Sequence, residues 1–115
     1  MGKDRIKGDI NMDVSKNDWK LFTERLPLWQ ENYMQKLNDE YSHILFKKGL
    51  TSSERFWELE KRINQDKKSP GVMLELNKEN MELDIMRLLK DEAITFDDLS
   101  DFSDELKDRV KAILK

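Results

Sequence analysis

The single histidine of the chain, His43, follows Glu40 by three residues in the run Glu-Tyr-Ser-His. On a helix this spacing puts a carboxylate and an imidazole on one face, as in di-iron bundles. Such a centre needs two of these motifs and two further glutamates, so only a symmetric dimer could complete it. Glu40 and His43 are therefore the metal-ligand candidates. The competing interpretation, which we favour, is an incidental spacing in which Glu40 meets a hydrogen-bond donor or solvent.

Four aspartates near the C-terminus form the other acidic cluster: Asp97, Asp98, Asp101 and Asp104. A calcium loop alternates its ligands around a turn glycine and ends in a glutamate, and this cluster does neither. Each aspartate instead lies near a predicted helix start, where carboxylates bind free backbone N–H groups. We expect helix caps, with an acidic contact surface as the alternative.

Signatures of catalysis are missing from the sequence. It contains no G-x-S-x-G, Walker A or dinucleotide-binding glycine pattern. It also has no cysteine, which removes thiolate zinc sites and cysteine nucleophiles. We expect a protein that is not an enzyme and that carries no cofactor.

Charge and hydropathy limit the partners of the chain. With 21 basic and 24 acidic residues the net charge is −3, and no basic stripe is visible, which argues against direct nucleic-acid binding. No apolar run approaches the length of a membrane span, and the N-terminus lacks a signal-peptide core. The absence of cysteine fits a reducing compartment, so a cytoplasmic protein is expected.

The elements that would position these residues are helices. Residues 1–14 have no periodicity and predict a flexible tail, followed by one helical domain over 15–115. Ser15 predicts a first helix start, and Pro27 predicts a break or kink near Leu26. The apolar stripe continues from Pro27 to about Lys48, where Gly49 ends the helix.

A capping box, Thr51-Ser52-Ser53-Glu54, starts the next helix. That helix runs to about Asp66 and should fold back on its predecessor as an αα-hairpin. Its predicted buried stripe is Phe56, Leu59 and Ile63, with Trp57 off the stripe. Residues 69–71, Ser-Pro-Gly, form a turn.

The stretch Val72–Leu89 offers apolar groups on two sides of a helix. One arc holds Leu74, Met81, Ile85, Leu88 and Leu89, and the opposite arc holds Val72, Leu76, Leu83 and Met86. A helix with two stripes is sandwiched between elements of its own chain or between its chain and a partner. A short turn starting at Thr95 and a last helix starting at Ser103 follow, and these C-terminal helices are one possible cover for the second face.

These elements predict an all-α fold: a small helical bundle with a long Pro-interrupted N-terminal helical arm, an αα-hairpin, a two-faced third helix and a short C-terminal helix pair. With 37% apolar residues the core must be lean, which favours burial by self-association. We predict a homodimer. The candidate interaction residues are Leu28, Phe46, Trp57, Leu76, Leu83 and Met86.

Several runs carry a resemblance to a known family. They are Trp29–Met34, the sequence F-W-x-L-E-K-R-I at Phe56–Ile63, Lys68–Val72, Ile94–Leu99 and Phe102–Leu106. The chain resembles a family of short bacterial all-helical proteins, some of which bear the label "multidrug transporter". That label conflicts with the lack of an apolar span. The resemblance implies a helical fold and supplies no activity and no site residues.

Three hypotheses for function remain at this point. The first is a non-enzymatic cytosolic protein-interaction or regulatory module that binds itself or an unknown protein partner. The second is a metal-binding bundle assembled across a dimer from Glu40 and His43. The third is an accessory regulator of a nucleic-acid process that does not bind DNA strongly itself.

Overall fold

A computed structural model describes residues 15–114, and over this range the protein is all-helical, about 73% of it, with no strand. Four α-helices follow one another along the chain: α1 (Lys16–Leu45), α2 (Ser52–Asp66), α3 (Met81–Lys90) and α4 (Asp104–Leu114). Two 3-10 turns, Lys78–Asn80 and Phe96–Leu99, precede α3 and α4. The predicted all-α bundle is confirmed. The predicted tail, residues 1–14, lies outside the described residues.

The helix starts that the sequence predicted are present. The side chain of Ser15 accepts the N–H of Asp18 at 2.9 Å, and Ser103 accepts the N–H of Leu106 at 3.2 Å. Thr51 with Glu54, and Thr95 with Asp98, form reciprocal capping boxes. The loop after α1 contains Gly49 at φ 87°, a conformation that favours glycine. Local side-chain chemistry thus sets most of the helix boundaries.

Of the break or kink predicted near Leu26, the break is wrong, because α1 continues through Pro27 as one helix of 30 residues. Proline inside a helix costs about 3 kcal/mol relative to alanine. The same turns bury Phe22, Leu26 and Trp29, while Pro27 itself lies on the exposed side. Burial of large side chains on both sides of the proline offsets its cost, since each contributes about 1.5–3 kcal/mol.

The predicted helix over Val72–Leu89 is also wrong in its first half. Residues 73–77 are irregular, and α3 begins only at Met81. Asn77 has extended backbone angles, and its side chain accepts the N–H of Glu79 at 2.9 Å. Asparagine is a better cap than helix interior, so it starts a new helical segment here.

One hydrophobic core joins the N-terminal half of α1 to α3 and the C-terminal segment. α1 contributes Phe22, Leu26 and Trp29, and α3 contributes Met81, Ile85 and Leu88. The C-terminal segment contributes Ile94, Leu99, Phe102, Leu106 and Val110. The C-terminal segment therefore shares the core that buries one face of α3, and Leu83 on the opposite side stays exposed.

A buried aspartate links the two ends of this core. Asp18, which is 1% exposed, accepts the backbone N–H of Ser103 at 2.9 Å and its hydroxyl at 2.6 Å. Ser103 is the cap of α4, so one carboxylate fixes the start of α4 against the start of α1. The contact joins residues that are 85 positions apart in the chain.

The C-terminal part of α1 from residue 31 onward, the loop after it and α2 project from the core as a hairpin, which we call the arm. The molecule is correspondingly elongated, with principal extents of 69 × 25 × 23 Å. Only Leu37 and Ile44 of α1 are buried in the arm, and α2 has no buried residue. The arm is thus a layer of two helices, whereas stable domains bury each apolar face against a further element.

Candidate interaction surface

Polar groups dominate the contact between α1 and α2 in the arm. Arg62 donates to Glu40 at 2.7 Å and lies 3.6 Å from Asp66, and the hydroxyl of Tyr41 donates to Asp66. Burial and the Asp66 carboxylate both raise the pKa of Tyr41, so the phenol stays protonated and remains a donor. Arg55 donates to the carbonyl of Lys47 at 3.2 Å. These bonds orient α2 without burying much apolar surface.

The half-buried residues of α2 recur at helical spacing and define its inner side: Arg55, Glu58, Leu59, Arg62 and Asp66. The opposite side is exposed and carries two large aromatic side chains, Phe56 at 60% and Trp57 at 62% exposure. Their rings pack edge to face, with centroids 5.0 Å apart and planes at 84°. Since aromatic pairs pack this way in cores and interfaces, the arm carries a preassembled apolar contact point.

The arm carries three other large apolar residues that are exposed. Ile63 lies two turns after Phe56 on α2, and Leu45 and Phe46 lie at the end of α1. Phe46 is 81% exposed, the largest value among the exposed large hydrophobic residues of the described chain. We call Leu45, Phe46, Phe56, Trp57 and Ile63 together the arm surface.

The residues that the sequence suggested for interaction are divided between the arm and the core. Phe46 and Trp57 belong to the arm surface. Leu28, Leu76 and Leu83 are exposed on the core half, at 63%, 48% and 50%, and Met86 is half-buried. The predicted contact residues therefore do not form one continuous patch along a two-faced helix.

Sequence reasoning missed Phe56 and Ile63, which it assigned to a buried stripe. Leu59 of that stripe is half-buried, but Phe56 and Ile63 are exposed. Spacing correctly identified an apolar side of α2, but it could not reveal that no element among residues 15–114 buries Phe56 and Ile63. The relevant signal was compositional, since a chain with 37% apolar residues has few side chains left to build a third layer.

The structure places Glu40 and His43 on the arm without assembling a metal centre around them. Glu40 accepts the guanidinium of Arg62, and hydrogen bonding to Glu40 raises the pKa of Arg62 further. His43 is exposed and lines an open depression together with Glu40, Lys47 and Glu58. Among residues 15–114, no group of three or more His, Cys, Asp or Glu residues could hold a metal ion.

Where the arm meets the core, the Ser-Pro-Gly turn is buried against α1. Gln30 donates to the carbonyl of Pro70 at 3.0 Å, and Ser69 donates to Asp91 at 2.7 Å. Gly71 lies so close to the ring of Tyr33 that an added Cβ would stand 2.4 Å from its Cδ2 atom. This turn fixes the base of α2 to both α1 and the end of α3.

A polar cavity of about 460 Å³ opens beside this turn. Tyr33, Ser69 and Arg87 line it together with lysines and aspartates. Burial raises the pKa of Tyr33, which keeps the phenol neutral. The aspartates of the lining already accept hydrogen bonds from Tyr41 and Ser69, so they serve the packing of the turn rather than a free acid–base pair.

No helix in the part of the chain that the structure describes is long and apolar enough to cross a lipid bilayer. Comparison with known proteins finds no matching family model, no matching curated protein and no matching solved structure.

Proposed function

We propose that this protein is a non-enzymatic protein-interaction module that associates with a second copy of itself through the arm surface. The observation that carries the proposal is the state of α2, which buries none of its residues while Phe56 and Trp57 are more than half exposed. Exposed apolar patches of this kind mark interaction sites, because leaving them in water costs free energy that a partner recovers.

The free energy gained when a partner covers Phe56 and Trp57 follows from the exposed fractions of their side chains. A buried Phe or Trp side chain removes 150–250 Å² from water, so the exposed 60% and 62% of these two side chains correspond to roughly 100–150 Å² each. At about 25 cal/mol per Å², covering each ring is worth about 3 kcal/mol. The four rings of two copies contribute about 12 kcal/mol, and association itself costs about 4–15 kcal/mol, so this contact alone supports a dimer with a Kd no tighter than about micromolar.

The composition of α2 favours a protein partner over other classes. Acidic and basic side chains alternate around its exposed apolar groups, so a polyanion would meet repulsion together with attraction. The metal-binding alternative requires Glu40 to leave Arg62, whose guanidinium it accepts at 2.7 Å. The cytoplasmic location predicted from the absence of cysteine stays part of this proposal.

Sedimentation velocity tests the proposal over about 1–200 μM protein, the range set by the expected affinity. The wild-type chain should shift from monomer to dimer across this range. The variant Phe56→Ser/Trp57→Ser should remain monomeric and keep its helical circular dichroism, since neither side chain is buried.

A matched control is Leu83→Ser, which removes an exposed leucine from the core half and should leave the dimer unchanged. A wild-type protein that stays monomeric throughout would overturn the proposal. Equal weakening by Leu83→Ser and by the arm variant would move the contact away from the arm.

A further inference from the structure

We infer that each copy in the dimer inserts the Phe56 ring of its aromatic pair into an apolar crevice between α1 and α2 of the other copy. This inference rests on the proposed self-association and names the surface that receives the exposed pair. It is carried by a separate observation, namely an open crevice at the base of the arm, on the same side as Phe56.

The crevice has a volume of about 240 Å³ and lies where α1, the end of α2 and the segment after the Ser-Pro-Gly turn meet. Its apolar walls are Met34, Leu37, Ile63 and Val72. Two of its polar neighbours already satisfy each other, because the hydroxyl of Tyr41 donates to Asp66. A ring that enters the crevice therefore meets apolar surface and leaves this hydrogen bond in place.

The size and chemistry of the crevice suit an aromatic side chain. Pockets for drug-sized ligands measure about 300–1,000 Å³, which exceeds the 240 Å³ of this crevice. Protein interfaces, in contrast, are commonly centred on single aromatic anchors that fill a pocket of the partner. Lys67 also lines the crevice, and a lysine ammonium attracts the face of an aromatic ring. A phenylalanine ring is thus a suitable occupant.

Helical spacing puts Phe56 on the same side of the arm as the crevice. Ile63 and Lys67, which line the crevice, follow Phe56 on α2 after seven and eleven residues, so the three share one side. On α1, Leu45 follows the lining residue Met34 after eleven residues and continues its side. Phe56 itself does not line the crevice of its own chain, since seven residues of helix separate it from Ile63 by roughly 10 Å. A second copy can bring its ring there.

The area that a stable dimer needs favours this contact over one between the rings themselves. The exposed parts of the four rings in two copies amount to roughly 400–600 Å². Specific interfaces bury about 1,200–2,000 Å² in total, so rings that covered only one another would fall well short. Packing against the crevice buries an about equal area of its walls, which brings the total to roughly 800–1,200 Å². One of these walls, Ile63, is 38% exposed in the single chain.

The contact is reciprocal, because every copy carries both the ring and the crevice. Each copy gives one ring and receives one, so both surfaces are used and association ends at a dimer. The exchange also gives α2 the apolar neighbours that it lacks within its own chain, where none of its residues is buried.

Isotope-filtered nuclear Overhauser spectroscopy tests the contact in the wild-type protein. The sample is an equimolar mixture of unlabelled chains and chains labelled on their methyl groups, at a concentration where sedimentation shows the dimer. We expect intermolecular signals from aromatic ring protons to the methyl groups of Met34 and Val72, which line the crevice. Intermolecular ring signals that reach other methyl groups and neither of these two would overturn the inference while leaving self-association intact.

A charge placed in the crevice should weaken the dimer without touching the aromatic pair. Met34→Glu should raise the dimer Kd more than roughly tenfold, because the partner's ring would bury an unpaired carboxylate. The matched control Asn32→Glu adds the same charge to α1 at an exposed position outside the lining and should change the Kd less than about twofold. Circular dichroism verifies folding, and Asn38→Glu, at an exposed residue of the lining, replaces Met34→Glu if that variant unfolds. An unchanged Kd in a folded crevice variant would refute the inference.

A charge exchange between two variants gives the sharpest test. Phe56→Lys and Met34→Glu should each weaken the homodimer. Their heterodimer has one native contact, because the first variant keeps its crevice and the second keeps its ring, and the other contact pairs the new lysine with the new glutamate. We expect the equimolar mixture to associate at least roughly tenfold more tightly than either variant alone, as close charge pairs across an interface do.

The outcomes separate this inference from the proposed function. A mixture that associates no more tightly than its two components would refute the exchange of rings and leave the dimer itself standing. Wild-type protein that stays monomeric in sedimentation would overturn the proposed function and this inference together.

Discussion

Gly71 offers the most direct test of how the arm is fixed to the core. A Cβ at this position would lie 2.4 Å from Cδ2 of Tyr33 and 2.9 Å from two further atoms of the same ring. Real Cβ contacts are longer than 3.0 Å, so Gly71→Ala forces the ring or the turn to move. The turn is constrained on both sides, since Gln30 binds the carbonyl of Pro70 and Ser69 binds Asp91.

The expected change in the free energy of unfolding on Gly71→Ala follows from two opposing effects. Overpacking a buried site costs about 1–3 kcal/mol. Gly71 does not have a positive φ, so alanine recovers about 0.4–1 kcal/mol by restricting the unfolded chain. We therefore expect Gly71→Ala to lower the free energy of unfolding by about 1–2 kcal/mol, which is roughly 5–10 °C in Tm for a domain of this size.

A double-mutant cycle with Tyr33→Ala isolates the steric contact. In the Tyr33→Ala background no ring opposes the new methyl group, so Gly71→Ala should become neutral or slightly stabilising. Urea unfolding, followed by circular dichroism and by tryptophan fluorescence, gives the free energy of unfolding of the wild type, the two single variants and the double variant. The fluorescence signal covers both parts of the molecule, because Trp29 lies in the core and Trp57 lies on the arm.

Gly49 provides the matched control. Nothing lies within 4 Å of its Cβ position, but its φ of 87° is unfavourable for alanine, at about 1–2 kcal/mol. Gly49→Ala should therefore cost a similar amount for a purely conformational reason, and Tyr33→Ala should not change that cost. The steric explanation is refuted if Gly71→Ala is equally costly with and without the tyrosine ring.

Three further outcomes follow from buried or strained positions. Asp18→Ala leaves the N–H and the hydroxyl of Ser103 without their acceptor. It should lower the free energy of unfolding in urea by about 3 kcal/mol, because hydrogen bonds to a charged group contribute about 1.5–3 kcal/mol each. A loss below about 1 kcal/mol would contradict the role of Asp18 in linking α1 to α4. Burial raises the pKa of Asp84, an effect that Arg87 at 3.5 Å only partly opposes, so its ionisation weakens the fold as pH rises from the unfolded pKa through the folded one. Asp84→Asn should therefore raise Tm at pH 7 and lose this advantage near pH 3, and a lower Tm at pH 7 would show that the ion pair dominates. Pro27→Ala should stabilise α1 by about 1–3 kcal/mol in thermal unfolding, since it restores a backbone N–H donor at an exposed position of the helix. An unchanged Tm would mean that the restored N–H makes no helical hydrogen bond.

Local chemistry explains which parts of the fold were predictable. The caps at Ser15, Thr51, Thr95 and Ser103 depend on a side chain and backbone groups within three residues of it, and each is present in the structure. The hairpin was predictable for the same reason, because Gly49 and the capping box after it determine where one helix ends and the next begins.

The segment before α3 shows where periodicity fails. Val72 and Leu74 are half-buried while Met73 and Glu75 are exposed, which is the alternation of an extended segment. A helical wheel placed these same residues on two opposite arcs and so suggested a two-faced helix. Spacing alone could not separate a period of two from two helical stripes, and the decisive signal was the cap at Asn77.

The position of the exposed apolar surface follows from the way α1 is divided between the core and the arm. Its N-terminal half is enclosed by α3 and the C-terminal segment, and together they complete one core. Its C-terminal half packs against α2, and of the described residues that follow α2 only those near the base of the arm contact it, such as Gly71 beside Tyr33 and Glu92 beside Lys36. A partner can therefore cover α2 without disturbing the core, and this is why the proposed contact can be removed by Phe56→Ser/Trp57→Ser while the fold persists. The second apolar face that the sequence assigned to residues 72–89 does not form as one face of a helix, because residues 73–77 are irregular. Leu76 and Leu83 stay exposed there, and the exposed aromatic pair lies on α2 instead.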